Sequence, residues 1–81
     1  MHLEILTPDK KVFSGEVTSV NLPGSGGYFE VLTNHAPLIS TLDKGKIKIN
    51  GGSSDDISVD GGVVEVLNNK IIVLAESTFI G

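Results

Sequence analysis

Residues 23–39 read PGSGGYFEVLTNHAPLI and indicate both the fold and the kind of function of this chain. The stretch begins with three glycines in four positions, at 24, 26 and 27, and glycine allows sharp turns because it tolerates positive φ. Strand-forming side chains follow from Tyr28 to Leu32, and Pro37 then favours an extended backbone just before it. Nothing in the stretch pairs a nucleophile with a base. The pattern predicts a shaped, partly apolar contact surface and favours a docking protein over an enzyme.

The composition fits a single small domain, which we place over residues 1–81. No segment approaches the roughly 20 apolar residues that a membrane helix needs, and the first residues do not resemble a signal peptide. The absence of cysteine excludes disulfides and thiolate metal sites and fits a reducing compartment. The net charge is −4, with six lysines and no arginine. Since arginine is the usual bidentate ligand of phosphate, we expect no nucleic-acid partner.

Alternation of apolar and polar residues predicts an all-β fold. The clearest case is KIKIN at residues 46–50, where the isoleucines should face the core and the lysines should face water. Leu3 and Ile5 alternate with polar neighbours in the same way. Short strands with turn signals about every 8–12 residues are typical of a sandwich or barrel. We therefore predict a flattened β-sandwich or barrel of about ten short, mainly antiparallel strands.

Five details of this fold can be predicted from local residues. Ser14-Gly15 should mark a bulge or corner in an extended stretch, because glycine inside a strand often does so. Residues 51–54 should form a hairpin loop, and Gly61-Gly62 should break the chain before the next strand. Asn68-Asn69 should form a two-residue hairpin turn, since asparagine tolerates the left-handed region. The continuously apolar residues 71–75 should form a central strand that is covered on both faces.

No group of residues carries the chemistry of a catalytic, metal or cofactor site. His35 lacks nearby ligands or an orienting carboxylate in the sequence, so a structural or partner-contact role is favoured over a catalytic or metal-binding one. The glycines at 24–27 are followed by a predicted strand, whereas a phosphate loop needs a helix N-terminus. Asp43-Lys44-Gly45 could be the hairpin tip of a lipoyl carrier domain modified on Lys44, although a simple polar turn is the favoured interpretation.

Several motifs together resemble the epsilon subunit of the F-type rotary ATP synthase over essentially the whole chain. They are, in order, Thr7-Pro8, VFSGEV at 12–17, Pro23-Gly24, Asn34-His35-Ala36-Pro37-Leu38, Gly61-Gly62 and Val73-Leu74-Ala75-Glu76. The chain departs from the usual pattern at Glu30 and Thr33, where the family often has glycine and proline.

The resemblance implies a non-catalytic subunit of the central stalk, or rotor, of a bacterial proton-translocating ATP synthase. Such a subunit docks on the gamma subunit and on the ring of c subunits, and so couples proton flow to ATP synthesis. Its gamma contacts would fall on Thr7, His35 and Ser40. Its c-ring contacts would fall on Ser25, Gly26, Gly27 and Tyr28, where a flexible glycine turn presents an aromatic side chain.

The resemblance also implies a place at the cytoplasmic face of the bacterial inner membrane, with membrane contact only through the complex. Most members of the family continue into a C-terminal helical hairpin that inhibits ATP hydrolysis, and in some bacteria binds ATP. If the 81 residues are the full product, we expect no such hairpin, no ATP binding and little inhibition. We expect no cofactor and no metal. The alternatives are the lipoyl-type carrier and a small-ligand-binding sandwich, which four aromatic residues would line only poorly.

Overall fold

Ten β-strands make up the regular structure of this computed structural model, which describes residues 1–51 and 56–80. In chain order they are β1 His2–Leu6, β2 Lys11–Glu16, β3 Ser19–Gly24, β4 Gly27–Leu32, β5 Leu38–Leu42, β6 Gly45–Asn50, β7 Asp56–Val59, β8 Gly62–Leu67, β9 Lys70–Ala75 and β10 Thr78–Ile80. The described residues contain no helix, as the alternating sequence pattern predicts.

The strands form one continuous sheet that curls over so that two halves of five strands pack face to face. The first half has the order β4-β3-β6-β7-β10, and the second has the order β5-β8-β9-β1-β2. Among the described residues, the ladder between the halves consists of the single pair Gly24–Leu42. Every strand pair is antiparallel except β1 with β9, which is parallel. The predicted flattened, mainly antiparallel sandwich is confirmed.

Aliphatic side chains from both halves meet in one buried core. Ile47 and Ile49 are buried in it, while Lys46 and Lys48 on the same strand are exposed, as predicted. Leu3 and Ile5 are both completely buried. The alternation therefore sets the inward and outward faces of these strands correctly.

The irregularity predicted at Ser14-Gly15 lies instead at Val12. Gly15 pairs regularly with Leu3, whereas the register shifts where Ile5 pairs with Phe13 and the next residue of β1 pairs with Lys11. Val12 and Phe13 both pack against the core, although neighbours in a regular strand would point to opposite faces. The bulge is located where two successive apolar side chains both turn inward.

The expected burial of residues 71–75 on both faces is wrong for this chain. Ile71, Val73 and Ala75 are buried, but Leu74 is 54% exposed, because only one face of β9 packs against the core. The predicted turns fare better, since Asn68 and Asn69 have φ of 52° and 60° and join β8 to β9. Gly61, with a φ of 134°, breaks the chain before β8 as predicted, whereas Gly62 is already the first residue of that strand. Of the loop predicted at 51–54, residues 52–54 lie outside the described residues.

Candidate docking surface

Among the side chains that the structure describes, the outward face of the second half of the sheet carries most of the large hydrophobic ones that are exposed. Ile39, Val63, Leu67 and Leu74, which we call the aliphatic face, are 72%, 40%, 48% and 54% exposed. The register places Val63 directly beside Leu74. Ile39 instead pairs with Glu65 and Leu67 pairs with Lys70, so charged side chains lie among the four on the same face. Exposed aliphatic residues scattered singly are ordinary, but a group on one sheet face indicates a contact surface.

A groove of about 710 Å³ lies at one end of the aliphatic face. Val63 and Leu74 contribute apolar lining, and Thr7 and Ser25 also line it. The groove thus brings together one residue expected to contact gamma and one expected to contact the c ring. Thr7 closes the turn after β1, since its N–H donates to the carbonyl of Lys10 at 2.9 Å.

Ser25 and Gly26 form the tip of the hairpin between β3 and β4, where Gly24 pairs with Gly27. The tip is tied to the end of β5, because the Ser25 N–H donates to the Thr41 carbonyl at 3.1 Å. The Ser25 hydroxyl also donates to Asp43 Oδ1 at 3.2 Å and lies 2.7 Å from Thr41 Oγ1. This hairpin tip is held in place by side-chain and backbone hydrogen bonds.

Tyr28 lies in β4 and not in the loop, which corrects the expectation that a flexible glycine turn presents it. It pairs with Pro23 in the ladder and is 61% exposed. Its hydroxyl oxygen accepts a hydrogen bond from the Lys46 N–H at 3.0 Å, which ties β4 to β6. The ring lies over Gly45, where a Cβ atom would come within 2.5 Å of the tyrosine oxygen. Tyr28 is therefore an exposed side chain of fixed orientation.

His35 lies at the opposite end of the aliphatic face from the groove, beside the turn between β8 and β9. Its N–H donates to the Leu32 carbonyl at 3.1 Å, and its Nδ1 lies 2.7 Å from the Ala36 carbonyl oxygen. A carbonyl oxygen can only accept, so this contact assigns the hydrogen to Nδ1. In the neutral ring Nε2 is then an acceptor. The imidazole is presented in one orientation and one tautomer.

Ser40 occupies the middle of β5 on the side that faces the core, and it is half-buried. It pairs with Val64, which is fully buried, and its hydroxyl donates to the Thr41 carbonyl at 3.1 Å. The structure therefore does not gather Thr7, His35 and Ser40 into one cluster. They mark the two ends and the β5 edge of the half of the sheet that carries the aliphatic face.

A polar cluster that the sequence analysis missed lies where β1 pairs with β2. His2 Nδ1 is 3.0 Å from Glu16 Oε2, and His2 Nε2 is 3.3 Å from Glu4 Oε2. The hydrogen bond with His2 is the main cause that lowers the pKa of both Glu4 and Glu16, and Lys11 also lowers that of Glu4. The sequence alone does not reveal this cluster, because His2 lies opposite Glu16 only when the bulge at Val12 shifts the register.

The cluster does not have the geometry of a metal site, since the two carboxylates lie on opposite nitrogens of the ring. Within residues 1–51 and 56–80, no group of three or more His, Asp or Glu side chains is placed to hold a metal ion. None of these residues belongs to a helix long and apolar enough to cross a membrane.

Comparison with known proteins gives one family. The profile of the ATP synthase delta/epsilon chain β-sandwich domain matches residues 1–81. The ATP synthase epsilon chain of Chlorobium limicola is 46% identical over 76 residues, which cover 91% of this chain and 86% of that protein. The epsilon chain of Leptospira borgpetersenii is 40% identical over 77 residues, which cover 94% of this chain but only 61% of that protein.

Two solved structures have the same fold. One is of the central stalk and c ring of the mitochondrial ATP synthase of Tetrahymena thermophila, with a TM-score of 0.83 and 17% identity. The match covers 96% of this chain and 64% of that chain. The other is of the mitochondrial ATP synthase of Euglena gracilis, with a TM-score of 0.87 and 20% identity over 96% of this chain and 51% of that chain.

Proposed function

This chain belongs to the family of ATP synthase delta/epsilon β-sandwich domains, and from that premise we propose that it is a non-catalytic subunit of the rotor stalk. In this role it docks on the gamma subunit and on the c ring, and it helps to couple proton flow to ATP synthesis. The single domain over 1–81 supplies both contacts. The complex holds it at the cytoplasmic face of the bacterial inner membrane.

The aliphatic face carries this proposal. Four large aliphatic side chains on one sheet face remain exposed in the isolated chain. Burying a completely exposed side chain of this kind contributes about 1.5–3 kcal/mol, and each of these partly covered side chains contributes a share of that. The gamma subunit covers this face and meets His35 at one end and Thr7 at the other. To meet Ser40 it reaches around the β5 edge, because that side chain lies on the side of β5 that faces the core. The polar groups at the two ends fix the orientation, and the aliphatic side chains supply most of the free energy of binding.

The hairpin between β3 and β4 supplies the contact with the c ring through Ser25, Gly26, Gly27 and Tyr28. Since Thr7 and Ser25 line the same groove, the gamma surface and the c-ring hairpin adjoin at that end of the molecule. The tethering of Ser25 to Thr41 and Asp43 supports the proposal, because a hairpin tip of fixed position transmits force better than a loose one.

Binding of ATP is not part of the proposed role of these 81 residues. The sequence contains no arginine to pair with phosphate, and its glycine-rich turn leads into β4 instead of a helix. Lys44 lies in the turn between β5 and β6, but the family match over residues 1–81 favours the stalk role over a carrier modified on that lysine.

The test compares two leucines that are equally exposed. Leu74 lies on the aliphatic face and Leu32 lies on β4 in the other half of the sheet, and both are 54% exposed. We expect Leu74→Lys to weaken binding to the gamma subunit of the same synthase by about tenfold or more, since one buried contact side chain contributes on that scale. Leu32→Lys changes only the side chain and keeps the backbone carbonyl that accepts the His35 N–H, so it should bind within about twofold of wild type. An equal loss of gamma affinity in the two variants would show that the aliphatic face is not the gamma surface.

A further inference from the structure

Two asparagine side chains join turns that are distant in the sequence. Asn34 follows β4, and Asn69 lies in the turn between β8 and β9. The Asn34 N–H donates to Asn69 Oδ1 at 2.7 Å, and Asn69 Nδ2 donates to Asn34 Oδ1 at 3.1 Å. Both residues have positive φ, of 66° and 60°, which asparagine tolerates better than most residues. We call this reciprocal pair the asparagine clasp.

The clasp holds the segment that carries His35. Asn34 precedes His35 directly, and the next hydrogen bonds along the chain run from the His35 N–H to Leu32 and between the imidazole and Ala36. Asn69 is itself anchored in the sheet, since its carbonyl accepts the His2 N–H at 2.9 Å. The backbone next to His35 is therefore held by a residue on a different hairpin, while the contact with Ala36 orients the ring.

We propose that Asn69 is a positioning residue for the gamma contact: through the clasp it holds His35 so that Nε2 accepts a hydrogen bond from a donor group on the gamma subunit. This inference rests on the proposed function, because it takes the segment at 34–37 to be part of the gamma surface. Because the clasp already orders that segment in the free chain, less conformational entropy is lost when gamma binds. Loss of the clasp should weaken binding although Asn69 itself need not contact gamma.

The first measurement is amide hydrogen exchange of the full chain by NMR. In Asn69→Gly the turn keeps a residue that accepts positive φ but loses the clasp, so the Asn34 amide should exchange about tenfold faster. Asn68→Gly is the matched control, because Asn68 has a φ of 52° in the same turn and its side chain makes neither clasp bond. It should leave the Asn34 amide unchanged. Asn69→Asp keeps an acceptor, now charged, so protection should remain within about threefold of wild type.

The second measurement is the affinity of the same variants for the gamma subunit. We expect Asn69→Gly to bind about three- to tenfold more weakly, while Asn68→Gly binds as wild type and Asn69→Asp regains most of the loss. His35→Ala, measured alongside, should weaken binding by about two- to tenfold.

The outcomes separate this inference from the proposed function. Unchanged exchange of the Asn34 amide in Asn69→Gly would overturn the clasp as a restraint, whatever gamma does. Faster exchange with unchanged gamma affinity, while His35→Ala binds weakly, would overturn the positioning role and leave the gamma surface intact. Full gamma affinity of His35→Ala would refute both the His35 contact and a positioning role for Asn69, and Leu74→Lys would still test the rest of the gamma surface.

Discussion

His2 connects the stability of the domain to pH through two carboxylates on neighbouring strands. Its hydrogen bonds with Glu4 and Glu16 are the main cause of the lowered pKa values of those carboxyls in the folded chain. In the unfolded chain both should titrate near the ordinary value of 4.5. The unfolded state then binds more protons than the folded state in acid, so the contribution is fully present above about pH 4.5 and is lost as pH falls through the lowered values.

We therefore expect the urea midpoint to fall between pH 6 and pH 3, and to fall less in His2→Ala than in wild type. Part of the decrease should persist in that variant, because the terminal ammonium group and Lys11 also lower these pKa values. His35→Ala is the matched control, since that imidazole contacts a backbone carbonyl instead of a carboxylate. Equal pH dependence in His2→Ala and wild type would exclude the role of His2.

At the scale of the element, the start of β6 depends on the absence of a side chain at Gly45. A Cβ there would lie 2.5 Å from the Tyr28 hydroxyl oxygen and 2.6 Å from Pro23 Cβ, both of which belong to the hairpin of the proposed c-ring contact. Tyr28 can therefore pack over β6 only because residue 45 has no side chain.

Gly45→Ala should lower the free energy of unfolding by about 1–3 kcal/mol, because the added methyl group pushes Tyr28 and Pro23 away from residue 45. It should also break the bond between the Tyr28 hydroxyl and the Lys46 N–H. Gly26→Ala is the control in the neighbouring turn, where an added Cβ would meet no atom within 4 Å. Denaturant unfolding of the two variants, with the NMR shift of the Lys46 amide, measures both effects. A Gly45→Ala variant as stable as Gly26→Ala would contradict this packing.

The elements show which features a sequence can predict and which it cannot. Asn68-Asn69 defines its hairpin locally, and the alternation at residues 46–50 defines a strand with one buried face, so both were predictable. The bulge at Val12 and the exposure of Leu74 were not, because each depends on which strand packs against which face. The parallel pairing of β1 with β9 joins strands that are far apart in the sequence. The alternation of apolar and polar residues is the same in parallel and antiparallel strands, so it does not predict the direction of pairing.

The candidate site divides in the same way. Tyr28 and His35 stand out in the sequence as an aromatic residue after glycines and a histidine before a proline. Asn69 reads only as a turn former, because its contact with Asn34 spans 35 positions of the chain. An asparagine in the left-handed region still has a side-chain amide that can bond elsewhere, and that is the one local signal of a distant partner.

At the scale of the whole molecule, β1 connects its neighbouring strands in the second half of the sheet. It lies between β2 and β9, and its inward side chains Leu3 and Ile5 are completely buried. The outward side of the adjacent strand β9 carries Leu74, and β8 and β5 carry the rest of the aliphatic face. This half of the sheet thus packs against the core with one face and carries the proposed gamma surface on the other. Truncating a side chain should therefore change the free energy of unfolding more on the core face than on the outward face.

Ile5→Ala should reduce the free energy of unfolding by about 2–5 kcal/mol, because it leaves a cavity in the core. A domain of this size has only about 4–12 kcal/mol in total, so the urea midpoint should fall steeply. Leu74→Ala removes an aliphatic side chain of equal carbon number from the outward face and should cost less than about 1 kcal/mol. If Ile5→Ala does not fold, Ile5→Val should still show a loss of about 0.5–1.5 kcal/mol. A loss of about 2 kcal/mol or more in Leu74→Ala would mean that the aliphatic face stabilises the isolated chain and is not reserved for a partner.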